Sequence, residues 1–145
     1  MGLFNFFVQD IAIDLGTANT IIYYQDKVVV DQPSIVAKDI KTGKAVAIGR
    51  LAQQMQGKTH KNIETIRPLR DGVIADFESA EQMIKGMIAM INENKKALFT
   101  PSHRMVICIP SGITDVEKRA VKDSAEHAGG KEVYLIHEPM AAAIG

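Results

Sequence analysis

The chain has no tryptophan, a single cysteine and no excess of either charge: 17 Lys plus Arg stand against 17 Asp plus Glu, for a formal net charge of zero. Each shortage excludes something. Without surplus positive charge there is no field to gather a nucleic-acid backbone, so nucleic acid is not an expected partner. One cysteine excludes a disulfide framework and points to a reducing compartment. Cys108 sits in an apolar run and reads as a small buried hydrophobe rather than a reactive thiol. No stretch approaches the ~20 apolar residues that span a bilayer. The amino terminus, Met1 to Val8, is apolar but has no basic region and no small-residue cleavage site, so no signal peptide is expected. Phe6 also stands where a myristoylation signal after Gly2 would need Ser or Thr.

What is present is a pattern of strands and helices. The 145 residues suffice for one domain, or a domain with a small insertion, around its own core. Three β-rich runs open the chain: Asp10 to Leu15, Thr20 to Tyr24 and Lys27 to Val30. The links between them are short, which predicts an antiparallel meander that Pro33 then punctuates. From Ser34 to Arg70 the pattern weakens. Short strands at Ile35–Ala37 and Ala45–Ile48 and a helical turn over Leu51–Met55 predict a small inserted subdomain. Asp71-Gly72 is a turn signal, after which Val73-Ile74-Ala75 rejoins the body.

Asp76 is a good N-cap for a helix whose stripe is Phe77, Ala80, Met83, Ile84, Met87, Ile88 and Ile91. Core packing is the preferred role of this Met-rich stripe over a partner groove. Met105 to Ile109 is continuously apolar, which predicts a strand buried on both faces. Thr114 and Glu117 have the spacing of a capping box. Val116, Ala120, Val121, Ala125 and Ala128 supply the inward face of the helix it starts, and Gly129-Gly130 ends it. Glu132 to Ile136 is a further strand, and Pro139 to Ile144 begins a helix. This order predicts an α/β domain with a mixed five-stranded sheet and flanking helices, carrying a small inserted α+β subdomain.

Two features carry chemistry. In Asp14-Leu15-Gly16-Thr17-Ala18-Asn19-Thr20 a carboxylate ends a strand just before a tight polar turn. Successive amides of Gly16, Thr17, Ala18 and Asn19 can form an anion-binding nest, with the Thr17 hydroxyl as a further donor. Asp14 is suited to a magnesium ion held through its water shell. The same residues serve equally well as a plain hairpin turn. Glu138, between Ile136-His137 and Pro139-Met140-Ala141-Ala142-Ala143, stands at a strand-to-helix junction. A carboxylate there can orient water for attack on a phosphate. Alone, the plainer role of favouring the helix amino end stands ahead of it.

Together these segments resemble the MreB family of actin-like ATPases, within the superfamily of actin, heat-shock chaperones and sugar kinases. The resemblance lies in Asp14 to Thr20, in Arg67-Pro68-Leu69-Arg70-Asp71-Gly72-Val73-Ile74-Ala75-Asp76, in Pro110 to Arg119 and in Glu138 to Ala143. It covers the chain from about Asp10 onward. It implies a ribonuclease-H-like, actin-type subdomain over residues 10–33 and 74–145, an inserted subdomain over 34–73 and a terminal membrane-associating segment over 1–9. It also implies ATP and Mg2+ as ligands, with Gly16 to Asn19 on the terminal phosphates, Asp14 near the metal and Glu138 near the attacking water. Relatives usually carry an acidic pair where His137-Glu138 stands. The family's second phosphate loop and second domain would follow Gly145. ATPase activity is therefore expected of a full-length family member, whereas this chain is expected to bind ATP weakly or not at all.

The implied role is a subunit of ATP-dependent filaments that lie on the cytoplasmic face of the inner membrane. With the cell-wall elongation machinery as partner, such filaments guide wall synthesis and rod shape. A small-molecule kinase and a chaperone-type ATPase domain are the alternatives. Leu3, Phe4, Phe6 and Phe7, as an apolar terminal segment, and separately Leu98 and Phe99 beside Lys95-Lys96, are the membrane contacts that the resemblance implies. By themselves Leu98 and Phe99 serve equally well tucked under the preceding helix as a cap on the core.

Overall fold

A computed structural model of the chain describes residues 8–58, 61–92 and 102–144. The candidate membrane residues Leu3, Phe4, Phe6, Phe7, Leu98 and Phe99 lie outside the described residues. Strands β1 (Val8–Leu15), β2 (Asn19–Tyr24) and β3 (Lys27–Pro33) form the expected meander, β1 and β2 pairing antiparallel through Ile13↔Ile22. Gln25 and Asp26 both take positive φ in the two-residue turn between β2 and β3, the geometry that matches the twist of a hairpin. Strands β9 (Ser102–Ile109) and β10 (Gly130–His137) then add in parallel, giving the order β10-β9-β1-β2-β3.

Between β3 and β9 the chain builds β4 (Val36–Asp39), β5 (Ala45–Ile48), the short helix α1 (Arg50–Met55) and β6 (Ile63–Ile66). These strands form a second sheet, ordered β5-β4-β6. Ile35, Ala37 and Ala52 make a separate small core there, backed by Ala47, Met55 and Ile63. Two short strands, β7 (Leu69–Arg70) and β8 (Val73–Ile74), pair with each other around the Asp71-Gly72 turn.

The main core lies on one face of the five-stranded sheet. Ile11, Ile13 and Leu15 of β1, Met105, Ile107 and Ile109 of β9 and Val133 of β10 point there. They meet Met83, Ile84, Met87 and Ile88 of α2 (Phe77–Asn92) and Val121 and Ala125 of α3 (Asp115–His127). Each buried aliphatic side chain contributes about 1.5–3 kcal/mol relative to exposure. Asp76 caps α2 by accepting the Ser79 amide at 2.8 Å. Thr114 caps α3 in a full capping box with Glu117.

Three expectations need correction. The apolar run Met105–Ile109 is not buried on both faces: Met105, Ile107 and Ile109 are buried, but Val106 is 39% exposed and Cys108 half-buried. Among the described residues helices cover only one face of the sheet, and an apolar run reads the same whether one face or two are covered. Phe77, at the first position of α2, stays exposed, so the stripe begins at Ala80. Val116 is exposed as well, and its place in the core is taken by Ile113, just before the cap. A first-turn side chain projects back toward the helix start, and here that direction leads to solvent.

Candidate functional site

The parallel strands β1, β9 and β10 end at the same edge of the sheet, where chain turns open toward any ligand. On the uncovered face at that edge, Asp14 of β1 lies in register with Cys108 of β9, and Cys108 with Ile136 of β10. Glu138, the first residue of α4 (Glu138–Ile144), follows directly on the end of β10, close enough to act on Cys108 electrostatically. With neighbouring strands about 4.8 Å apart, Asp14 and the end of β10 flank Cys108 at roughly 10 Å from each other. Burial raises the Cys108 pKa, and the Asp14 and Glu138 carboxylates raise it further. That shared electrostatic effect brings together two carboxylates that are far apart in the sequence. Cys108 is therefore a half-buried thiol between two acids rather than a core hydrophobe.

The turn between β1 and β2 stands beside this group. Gly16 is partly buried, whereas Thr17, Ala18 and Asn19 are exposed. A Cβ at Gly16 would overlap the Asn19 carbonyl oxygen, so glycine is required by the turn's own closeness.

The turn is held from three sides. Ser34, fully buried just after β3, donates its hydroxyl to the Gly16 carbonyl at 2.6 Å and its amide to the Ala18 carbonyl at 2.8 Å. The buried Thr20 hydroxyl lies 2.9 Å from the Ser34 hydroxyl. Asn19 donates its side-chain amide to Asp31 at 3.0 Å. The Thr17 hydroxyl oxygen accepts the Gly72 amide at 2.8 Å, which leaves the Thr17 proton free to donate to a ligand.

Gly72 itself has φ +79°, and a Cβ there would overlap Pro110 at the end of β9. Three segments thus converge: the β1–β2 turn, the β7–β8 turn and the β9 exit. Ser34 and Gly72 were missed by sequence reasoning. A small hydroxyl beside a proline and before the apolar Ile35-Val36-Ala37 was the available signal, because a buried hydroxyl needs a partner.

The residues expected at the site are therefore brought to one edge: Asp14, the Gly16–Asn19 turn and Glu138. His137 points toward the core side of β10, with its Nδ1 buried and without a hydrogen-bond partner. Among the described residues no cluster of three acidic, histidine or cysteine side chains could hold a metal. A single exposed carboxylate such as Asp14 fits a magnesium ion that keeps most of its waters and takes its other ligands from phosphate. At the other end of the same face a groove of about 670 Å³ is lined by Asp10, Ala12, Tyr23, Tyr24, Arg104 and Val106. A bidentate Arg104–Asp10 pair at 2.8 and 2.7 Å spans β9 and β1 there. No helix among the described residues is long and apolar enough to cross a membrane.

Comparison with known proteins identifies the family and the fold. The family model described as "MreB/Mbl protein" matches residues 8–145. The cell shape-determining protein Mbl of Bacillus subtilis (strain 168) is 52% identical over 140 residues, covering 96% of this chain and 41% of Mbl. The crystal structure of MreB 5 of Spiroplasma citri bound to AMPPNP superposes with a TM-score of 0.77 at 36% identity, covering 93% of this chain and 40% of that one. A MamK double helical filament, at 18% identity and a TM-score of 0.72, shares the fold. The chain thus spans about two fifths of the length of these relatives. By its family match, its relatives and its actin-like fold, the chain belongs to the MreB/Mbl family.

Proposed function

We propose that this chain supplies one side of an ATP site in an actin-like, cell-shape-determining filament subunit. The observation that carries this is the convergence of Asp14 and Glu138 on Cys108 beside the Gly16–Asn19 turn. Support also comes from the relatives, one named for cell shape and one crystallised with a nucleotide analogue.

In this proposal the amides of Gly16 to Asn19 and the Thr17 hydroxyl bind the terminal phosphates. Asp14 orients the water shell of Mg2+, which when bound neutralises phosphate charge. Glu138, exposed at the start of α4, orients the attacking water and accepts its proton. Phosphoryl transfer needs phosphates clamped and aligned from both sides. The residues described supply one side of that clamp.

The proposal extends to domain roles. Residues 10–33 and 74–145 form the actin-type subdomain, 34–73 the inserted one, and 1–9 with Leu98 and Phe99 the contact with the inner membrane. The partners are further copies of the subunit and the wall-synthesis machinery.

Titrating the chain with millimolar Mg·ATP, observed by amide NMR, tests the site. Shifts are expected at Gly16 to Asn19 and at Cys108, and Asp14→Asn should weaken them severalfold only when Mg2+ is present. Shifts confined to the Asp10–Arg104 groove, or none at the turn, would refute the assignment. A small-molecule kinase or a chaperone-type ATPase of the same superfamily would show the same shifts but would not pellet as polymer with ATP.

A further inference from the structure

The hydrogen bonds around the β1–β2 turn single out a residue outside the turn. We infer that Ser34 is the positioning residue of the phosphate turn, fixing its peptide planes so that their amides face the ligand. The inference rests on the proposal that Gly16–Asn19 binds phosphate, and it deepens that proposal.

The geometry is specific. In a planar trans peptide the C=O and the following N–H point in opposite directions. The Ser34 hydroxyl holds the Gly16 carbonyl at 2.6 Å, so the Thr17 amide is aimed away from Ser34. Ser34 is fully buried, and the side of the turn away from it carries the exposed Thr17, Ala18 and Asn19. The Ser34 amide holds a second carbonyl, that of Ala18, at 2.8 Å. Both carbonyls therefore direct their negative ends into the protein. Left free, either could rotate toward the phosphates, and a carbonyl oxygen facing an anion repels it.

Two further features fix Ser34 itself. The Thr20 hydroxyl lies 2.9 Å from its own, so the group that grips Gly16 is oriented in turn. The Ile35 amide donates to the Pro33 carbonyl at 2.9 Å, tightening the backbone around Ser34. One residue thus holds two carbonyls of a short turn without touching the ligand.

The test compares the wild-type chain, Ser34→Ala and Val121→Ala by NMR titration with Mg·ATP. Val121 is buried in α3, so its truncation lowers stability without touching the turn. Ser34→Ala should weaken Mg·ATP binding at the turn by about three- to tenfold, the equivalent of one misplaced hydrogen bond. Val121→Ala should leave it unchanged at temperatures where both variants are folded.

A second measurement needs no variant: in the wild type, saturating Mg·ATP should slow exchange of the Ser34 amide severalfold relative to that of Val133. Equal affinity in wild type and Ser34→Ala, or a Ser34 amide indifferent to ligand, overturns the inference and leaves the phosphate site standing. If the wild type gives no Mg·ATP shifts at Gly16–Asn19, the phosphate assignment itself falls and this inference falls with it.

Discussion

Gly72→Ala is the substitution whose cost can be worked out most fully. Gly72 has φ +79°, a left-handed conformation that costs a residue with a Cβ roughly 1–2 kcal/mol. The new methyl would also overlap Pro110 Cγ, and forcing an extra carbon into filled space costs about 1–3 kcal/mol more. The sum is about 2–5 kcal/mol, a large share of the roughly 5–15 kcal/mol that holds a domain folded. Gly57 provides the control, since it has φ +75° and nothing within 4 Å of the Cβ position. Gly57→Ala should therefore show the conformational cost alone. By thermal unfolding, the two variants should differ by about 3–12 °C, taking about 3–4 °C per kcal/mol for a chain of this size. Adding Pro110→Ala to Gly72→Ala should recover much of that difference, a coupling that a double-mutant cycle isolates. Equal losses in the two glycine variants, or no recovery with Pro110→Ala, would show that the β7–β8 turn is not wedged against the β9 exit.

Two further expectations concern titration. Burial, Asp14 and Glu138 together hold the Cys108 pKa above its ordinary value. At about pH 8, near the pKa of a free thiol, iodoacetamide should therefore alkylate Cys108 more slowly than free cysteine, and faster in Asp14→Asn; an unchanged rate in the variant would separate Asp14 from the thiol. Burial acts to raise the Asp76 pKa, but the Ser79 amide and Lys38, 3.6 Å away, outweigh it and hold the pKa below the ordinary carboxylate value. A depressed carboxylate contributes stability that is fully present above its unfolded pKa and is lost as pH falls through the folded value. Stability should thus fall below about pH 4, and less steeply in Asp76→Asn; identical slopes in urea titrations of the two proteins would contradict the assignment.

Much of the fold was legible because local signals and tertiary packing agree. The meander follows from two short links, α2 from a stripe at helical spacing and α3 from a capping box whose two reciprocal bonds are both formed. The misjudged residues are those whose exposure depends on distant parts of the chain. Val106 and Cys108 sit in an apolar run that gives no sign of which face is covered, and Val116 has the right spacing but lies in the first turn. At the site, Asp14 and the Gly16–Asn19 turn were legible as a carboxylate and a tight bend. Their neighbours were not, because Ser34 and Gly72 reach the turn through long-range hydrogen bonds of backbone and hydroxyl groups. Such bonds leave no periodic trace in the sequence.

The place of β1 in the middle of its sheet has a consequence for how the protein is made. One side of β1 is paired by β2, which immediately follows it, but the other side is paired by β9, which is synthesised only after the inserted strands and α2. Until then the nascent chain carries an open hydrogen-bonding edge on an aliphatic strand, the kind of edge that pairs with other chains. The meander can form early from local contacts, whereas the parallel partners must wait for a long loop to close. Asp14 and Glu138 come together only after that closure, so the edge of the sheet that carries the candidate site is also the last part of it to take shape.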